Sequence, residues 1–183
     1  VSLSQGGAVA THAHTYGPHG GGYTLVTREA FAMVAGDGEW SVTFTLLTTY
    51  ENDLLLGLVR PGLNDSGREI SQCFYHGSNI TFYGNSDESR AWWMYAGNGS
   101  LCASGKYRSD PAGRLRAGDR LTVVLTAKGA VRFGVNGTQH GPGWPDGSIQ
   151  KGTVVVPAVQ MCCRGDSVKL EAATGAEETA WAR

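Results

Sequence analysis

Few side chains in this sequence have a type and spacing that could do chemistry. Three histidines, His12, His14 and His19, include a His-x-His pair, a spacing that occurs in metal sites. The segment around them is rich in glycine and has no Asp, Glu or Cys to complete a ligand set. We therefore expect solvated histidines in a loosely ordered arm, and we predict no metal site and no cofactor.

Motifs that activate a nucleophile or cradle a phosphate are missing. The sequence has no Gly-x-Ser-x-Gly elbow, no glycine-rich phosphate loop between a strand and a helix, and no His-Glu-x-x-His. A glycosidase needs two facing carboxylates on inner strands. The acidic residues that could be considered do not show such a spacing: Glu39, Asp53, Glu69 and Glu171. The sequence therefore predicts a non-catalytic protein.

The tripeptide Arg164-Gly165-Asp166 spells an adhesion sequence. It stands just before the last apolar alternation of the chain, where a glycine in a tight turn accounts for it. We expect a turn here, and not an integrin ligand.

Composition places the chain among single globular domains. It has 183 residues, of which 41% are hydrophobic, and its 15 basic and 16 acidic residues leave a net charge of -1. No basic field points to nucleic acid. The longest apolar run, Leu54 to Val59, is far shorter than the roughly 20 residues that span a bilayer, so no membrane insertion is predicted in this segment.

Two signals bear on the cellular compartment. The cysteines lack paired spacing and favour free thiols in the cytoplasm; they are Cys73, Cys102, Cys162 and Cys163. Four Asn-x-Ser/Thr sequons leave secretion open. They begin at Asn64, Asn79, Asn98 and Asn136.

The elements that must position any site are β-strands, and a hairpin over residues 118–137 is the clearest. Apolar residues alternate along both of its arms, which puts each set on one face of a strand. These residues are Leu121, Val123 and Leu125, then Val131, Phe133 and Val135. Lys128-Gly129 is predicted to turn between the arms, and Asn136-Gly137 to form a second turn with positive φ angles.

Similar apolar runs recur along the chain, separated by turn signals, and no convincing helical period is present. The runs cover residues 40–46, 54–59, 73–75, 80–83, 92–95, 101–103, 154–161 and 167–171. This pattern predicts an all-β antiparallel sandwich. We place the sandwich at residues 23–172, between a flexible N-terminal arm (1–22) and a C-terminal tail (173–183).

Four stretches together resemble a SPRY domain, a bent β-sandwich of concanavalin-like shape. They are residues 38–44 with 56–59, residues 90–95 with 105–106, the hairpin 118–137, and Val156-Pro157-Ala158-Val159. Their order and spacing agree over residues 23 to 172. The sequence departs from the family pattern at Thr126, where Asp is usual, at Trp93, where Gly is usual, and at Gly143-Trp144-Pro145.

The resemblance implies a protein-interaction module that holds a peptide or protein surface in loops at one end of the sandwich. Such modules act as adaptors or choose substrates for ubiquitin ligases, and we expect a monomeric domain of a larger chain. The candidate partner-binding residues are Arg60, Pro61, Tyr75, His76, Trp93, Cys163 and Arg164. Arg60 could pair with a carboxylate of the partner or be a solvated strand end. Trp92 aligns with a core Trp, which turns Trp93 outward, as a contact or under a loop.

A carbohydrate-binding domain is the alternative, because concanavalin-like sandwiches also bind sugars. A calcium-dependent lectin needs an Asp/Asn cluster and an aromatic platform. The only such cluster in the sequence is Asn79, Tyr83, Asn85 and Asp87.

Overall fold

A computed structural model describes residues 2–12, 24–27, 31–49, 54–61, 73–76, 79–82, 91–103, 106–108, 113–161 and 164–172. In chain order the strands are β1 (Ser2–Ser4), β2 (Val9–Thr11), β3 (Thr24–Thr27), β4 (Met33–Val34), β5 (Trp40–Thr48), β6 (Leu54–Val59), β7 (Cys73–His76), β8 (Asn79–Phe82), β9 (Ala91–Tyr95), β10 (Leu101–Ala103), β11 (Lys106–Arg108), β12 (Arg120–Leu125), β13 (Val131–Val135), β14 (Thr138–Trp144), β15 (Val154–Met161) and β16 (Ser167–Ala172). Within these ranges the only helical element is a single 3-10 turn, Gln5–Gly7. The predicted all-β class is confirmed.

The strands form two large antiparallel sheets and a separate hairpin. The first sheet has the order β1-β2-β16-β5-β12-β13-β14, and the second has the order β11-β10-β9-β6-β15-β3, with β4 also paired to β15. The hairpin consists of β7 and β8. Neighbours within each large sheet are often distant in the chain, so each sheet depends on long-range pairing.

The main core lies between the inward faces of the two sheets. Phe44, Leu121 and Phe133 of the first sheet pack in one cluster with Leu56 and Trp92 of the second. All are essentially inaccessible to water. Each such side chain contributes about 2–3 kcal/mol through burial. The hairpin side chains that alternation in the sequence predicted to face inward, such as Leu121 and Phe133, therefore lie in the core.

The N-terminal segment predicted as a flexible arm contributes to the first sheet. β2 pairs with β16, and β1 pairs with β2. Val9 and Ala10 are buried, and so is His12, which the sequence had placed on a solvated tail. These strands have three residues each, too short for an alternation to be visible in the sequence. The predicted tail, residues 173–183, and His14 and His19 lie outside the described residues.

The predicted hairpin is β12–β13, and Thr126 closes its turn. The Thr126 hydroxyl oxygen accepts a hydrogen bond from the Ala130 N–H at 3.0 Å, and the Thr126 N–H donates to the Ala130 carbonyl at 2.9 Å. A Thr oxygen thus supplies an acceptor at the position where the resembling family usually has Asp. The departure from the family pattern leaves the turn intact.

Gly57 allows β6 and β9 to approach closely. It stands opposite Trp93, and a Cβ placed on it would lie 1.9 Å from the Trp92 carbonyl oxygen. Because the obstacle is backbone, the two strands would have to separate. We expect Gly57→Ala to lower the free energy of unfolding by about 3 kcal/mol or more.

Gly147→Ala is the matched control, because Gly147 has φ +78° and open space around its Cβ position. Only the left-handed strain applies there, about 1 kcal/mol. Urea unfolding of both variants measures the difference. Equal losses would show that the close approach of β6 and β9 is not a constraint.

Asn136 fixes the start of β12 to the end of β13. At φ 51° it donates from Nδ2 to Asp119 Oδ1 at 2.8 Å, and its Oδ1 accepts from the Arg120 N–H at 2.9 Å. Asn136→Gly keeps the backbone conformation and removes both bonds, so we expect a loss of about 1 kcal/mol. Asn136→Ala adds left-handed strain, for about 2 kcal/mol in total. Denaturant midpoints test this order, and a Gly variant less stable than the Ala variant would contradict it.

Candidate functional site

One end of the sandwich collects several loops around Arg60, and we call it the Arg60 end. It consists of residues 35–40, 60–61, 126–130 and 145–154. The β6–β15 register places Val59 opposite Val156, so β6 finishes where β15 begins. β4 pairs with the same beginning of β15, and β5 starts directly after the turn that follows β4.

Backbone hydrogen bonds tie these loops together. Ala35 donates to the Thr153 carbonyl at 3.0 Å and accepts from the Gly152 N–H at 2.8 Å. The Ile149 N–H donates to the Gly129 carbonyl at 2.9 Å, and the Ile149 side chain is buried in the main core. The loops of the Arg60 end are thus held on the sandwich, as a binding surface requires.

Arg60 is partly buried, and one atom of its guanidinium, Nε, is shielded from water without a hydrogen-bond partner. The other basic side chains that the structure describes as partly buried are both partnered: Arg132 donates to two β14 carbonyls at 2.9 and 3.0 Å, and Lys169 pairs with Glu171. Among the Arg and Lys side chains of the described ranges, Arg60 is thus the one with a shielded nitrogen that has no partner.

Apolar surface is exposed at the same end. Pro61 is exposed, and Val154 and Trp40 are 41% and 40% exposed. Trp40 and Val154 each begin an apolar run of the sequence whose other apolar members are buried. Both are the first residues of their strands, a position that could have signalled their exposure.

The structure places Arg164 at the opposite end from Arg60. Arg164 follows β15, whose last residue, Met161, stands opposite Leu54, the first residue of β6. The six residues of β6 separate the two ends by about 17 Å. Arg60 with Pro61 and Arg164 therefore cannot form one compact site, and Cys163 lies outside the described residues.

The adhesion tripeptide is unsuited to its adhesive role in this fold. Asp166 is completely buried, although Arg164 and Gly165 are exposed in the turn. Its backbone carbonyl accepts a hydrogen bond from the His12 N–H at 2.9 Å. An integrin ligand must present the Asp carboxylate, so the structure supports the turn interpretation.

Trp93 faces outward from the second sheet, as predicted, but it is not a surface residue. It is 2% exposed and packs in a second cluster with Val59, Tyr95, Val156 and Ala158. Alternation decides which face of a strand carries a side chain, but it cannot show that this face is covered. Trp93 is therefore not available to a partner in the folded domain.

The remaining aromatic residues singled out in the sequence are Tyr75, His76 and Trp144. Tyr75 and His76 lie in β7, and their side chains fall outside the described part of the chain. Trp144, where the sequence departs from the family pattern, ends β14 opposite Val131 and packs in the main core. A β-bulge in this pairing, which the sequence does not signal, brings Trp144 into register.

The described residues contain no group of three or more His, Cys, Asp or Glu side chains placed to hold a metal ion. No helix among them has the length and apolarity to cross a membrane. Of the residues considered for a lectin site, Asn79 starts β8, whereas Tyr83, Asn85 and Asp87 lie outside the described ranges.

Comparison with solved structures identifies the fold. The chain is similar to the SPRY domain of human HERC1, with 18% identity, a TM-score of 0.63, and coverage of 95% of this chain and 93% of that one. It is similar to a human SPRY domain (18% identity, TM-score 0.58, coverage 92% and 94%) and to the TRIM65 PSpry domain (20%, 0.56, coverage 94% and 84%). No protein-family model and no curated protein matches the sequence. The chain thus has the SPRY fold, and the resemblance found in its motifs is confirmed at the level of fold.

The burial of Trp93 makes it a stability residue. We expect Trp93→Ala to lower the free energy of unfolding by about 3–5 kcal/mol, the usual cost of truncating a buried Trp. Trp40→Ala is the matched control and should lose about 1 kcal/mol, because Trp40 is 40% exposed. Urea unfolding followed by circular dichroism compares the two. A Trp93 variant as stable as the Trp40 variant would show that Trp93 is not part of a packed cluster.

Proposed function

We propose that this chain is a non-catalytic protein-interaction domain that binds a peptide segment of its partner at the Arg60 end. The SPRY fold supports the general function, because SPRY domains are interaction modules. The Arg60 end supports the location, because it joins a rigid loop platform to exposed apolar side chains.

The partly buried guanidinium of Arg60, whose Nε atom is shielded from water without an acceptor, is the observation that carries this proposal. Removing a charged group from water is unfavourable unless an acceptor compensates for the lost hydration. A fully solvated strand end would leave Nε in water, but this atom is buried without a partner. A partner acceptor would meet Arg60 at its terminal Nη atoms, because Nε itself is shielded, and such interactions are strong because the donor is charged.

The composition of the Arg60 end also fits a contact surface. Arg and Trp are the residue types most enriched among side chains that dominate binding energy. Arg60 and the exposed Trp40 are both found here, on different sheets but at the same end of the sandwich. Pro61 and Val154 add exposed apolar area at the same end.

The domain would act as the recognition part of a longer protein. Two of the similar structures are SPRY domains of the proteins named HERC1 and TRIM65. By analogy with them, we propose a monomeric adaptor or substrate-recognition module, which selects a partner for activities located elsewhere in the chain. The fold analogy supports this role, and the ligand chemistry rests on the residues of the Arg60 end.

Peptide selection tests the proposal directly. Random dodecapeptides displayed on phage are selected on the folded domain, and the enriched sequences are synthesised and titrated by fluorescence anisotropy. We expect Arg60→Ala to weaken binding at least about tenfold, as for other central Arg contacts. Arg164→Ala is the matched control, because it removes an exposed Arg at the opposite end, and it should leave affinity unchanged.

Unfolding midpoints of both variants confirm that the fold is intact. Failure to enrich any peptide would contradict the proposed function. Peptides whose affinity depends on Arg164 and not on Arg60 would overturn the location of the site.

A further inference from the structure

Two Asn-Gly pairs, Asn98-Gly99 and Asn136-Gly137, lie in connections between strands. Such a pair is chemically labile, because glycine has no side chain to keep its backbone nitrogen from attacking the preceding side-chain amide. The nitrogen gives its proton to solvent and bonds to the Asn Cγ atom, and the Cγ–Nδ2 bond breaks to release ammonia. Water then opens the cyclic imide at one of its two carbonyl carbons, which leaves an aspartate or an isoaspartate.

The turn after β9 occupies the attacking nitrogen of the first pair. The Gly99 N–H donates to the Tyr95 carbonyl at 2.8 Å, and Gly99 is buried. The Asn98 Oδ1 atom accepts a hydrogen bond from the Ser100 N–H at 2.9 Å. A bonded and shielded nitrogen is a poor nucleophile, so we expect Asn98 to react slowly in the folded domain.

The attacking nitrogen of the second pair is open to solvent. Asn136 and Gly137 are both exposed, and a Cβ placed on Gly137 would meet no atom within 4 Å. The Gly137 N–H donates to no backbone carbonyl of the described residues. Neither burial nor a backbone hydrogen bond therefore protects this pair.

The side-chain amide of Asn136 is instead held from the opposite arm of the hairpin. Its Nδ2 atom donates to Asp119 Oδ1 at 2.8 Å, and its Oδ1 atom accepts from the Arg120 N–H at 2.9 Å. Attack requires the side chain to turn its Cγ atom toward the Gly137 nitrogen, and this rotation breaks both bonds. The bond to Asp119 is the stronger restraint because its acceptor is charged. The Arg120 N–H also draws electron density from the carbonyl, so its bond alone protects less.

We propose that Asn136 is a deamidation site that the Asp119 carboxylate holds in check. The modification would undo the contact that delays it. An aspartate at position 136 would set a second carboxylate against Asp119 in place of an N–H donor, and the two like charges would repel. An isoaspartate would add one backbone carbon to the turn between β13 and β14. Either product would loosen the start of β12 from the end of β13.

The site lies at the end of the sandwich opposite Arg60. Arg120, the first residue of β12, pairs with Thr45, whereas Leu125, the last one, pairs with Trp40 of the Arg60 end. Deamidation at Asn136 is therefore independent of the proposed binding site, and each proposal stands or fails by itself.

The test follows deamidation of the folded domain over time in mildly alkaline buffer. Samples are digested at acidic pH, and mass spectrometry with liquid chromatography separates Asn, Asp and isoaspartate at positions 98 and 136. We expect Asp119→Ala to raise the rate at Asn136 about tenfold, as for loss of one hydrogen bond to a charged group, and to leave the rate at Asn98 unchanged. Asp119→Asn keeps an uncharged acceptor and should give an intermediate rate. Asp146→Ala is the matched control, because it removes an exposed carboxylate at the Arg60 end, and it should leave both rates at the wild-type value.

The two Asn-Gly pairs of one molecule distinguish a local restraint from general unfolding. A rise at Asn136 alone supports the proposal. An equal rise at both positions would show that Asp119→Ala reacts through the unfolded chain, and this result would overturn the restraint. An unchanged rate at Asn136 would overturn it as well. Faster reaction of Asn98 than of Asn136 in the Asp119→Ala variant would overturn the choice of the labile pair. If Asp119→Ala does not fold, Asp119→Asn decides by the same comparison.

Discussion

The dry layer between the two sheets is the interaction on which the rest of the structure depends. Inward side chains of both sheets, such as Phe44 and Trp92, meet in one cluster from which water is excluded. Burial of apolar area is the dominant favourable term in folding, and here it requires two sheets assembled from strands that are distant in the chain. At Gly57 the spacing between β6 and β9 leaves no room for a side chain, because a single added carbon would meet the backbone of the adjacent strand.

A sandwich held in this way fixes the loops at its end. The loops of the Arg60 end are bonded to one another, and Ile149 anchors them in the main core. Arg60 follows β6 at this end, and its Nε atom is shielded from water. The loops of the Arg60 end are thus fixed before a partner arrives, and under the proposed function this lowers the conformational entropy lost on binding.

The two faces of the second sheet show why a candidate site can be read only partly from a strand pattern. Alternation assigned Trp92 to the inward face and Trp93 to the outward face, and the structure agrees. Yet Trp93 is buried in a second cluster, whereas Trp40, which alternates with core residues, is substantially exposed. Exposure depends on what covers a face and on how far a strand extends beyond its neighbours, and neither is encoded in a period of two.

The sequence by itself determined the all-β class, the β12–β13 hairpin with its inward residues, and the resemblance to SPRY domains. These features follow from local rules: alternation selects a face, and residues such as Asn136 and Gly137 adopt the positive φ angles of tight turns. Only the tertiary structure decided that Arg60 and Arg164 lie at opposite ends, that Asp166 is buried, and that the N-terminal strands complete the first sheet. The physical reason is that these facts depend on register and on cover between segments far apart in the chain, where no local preference acts.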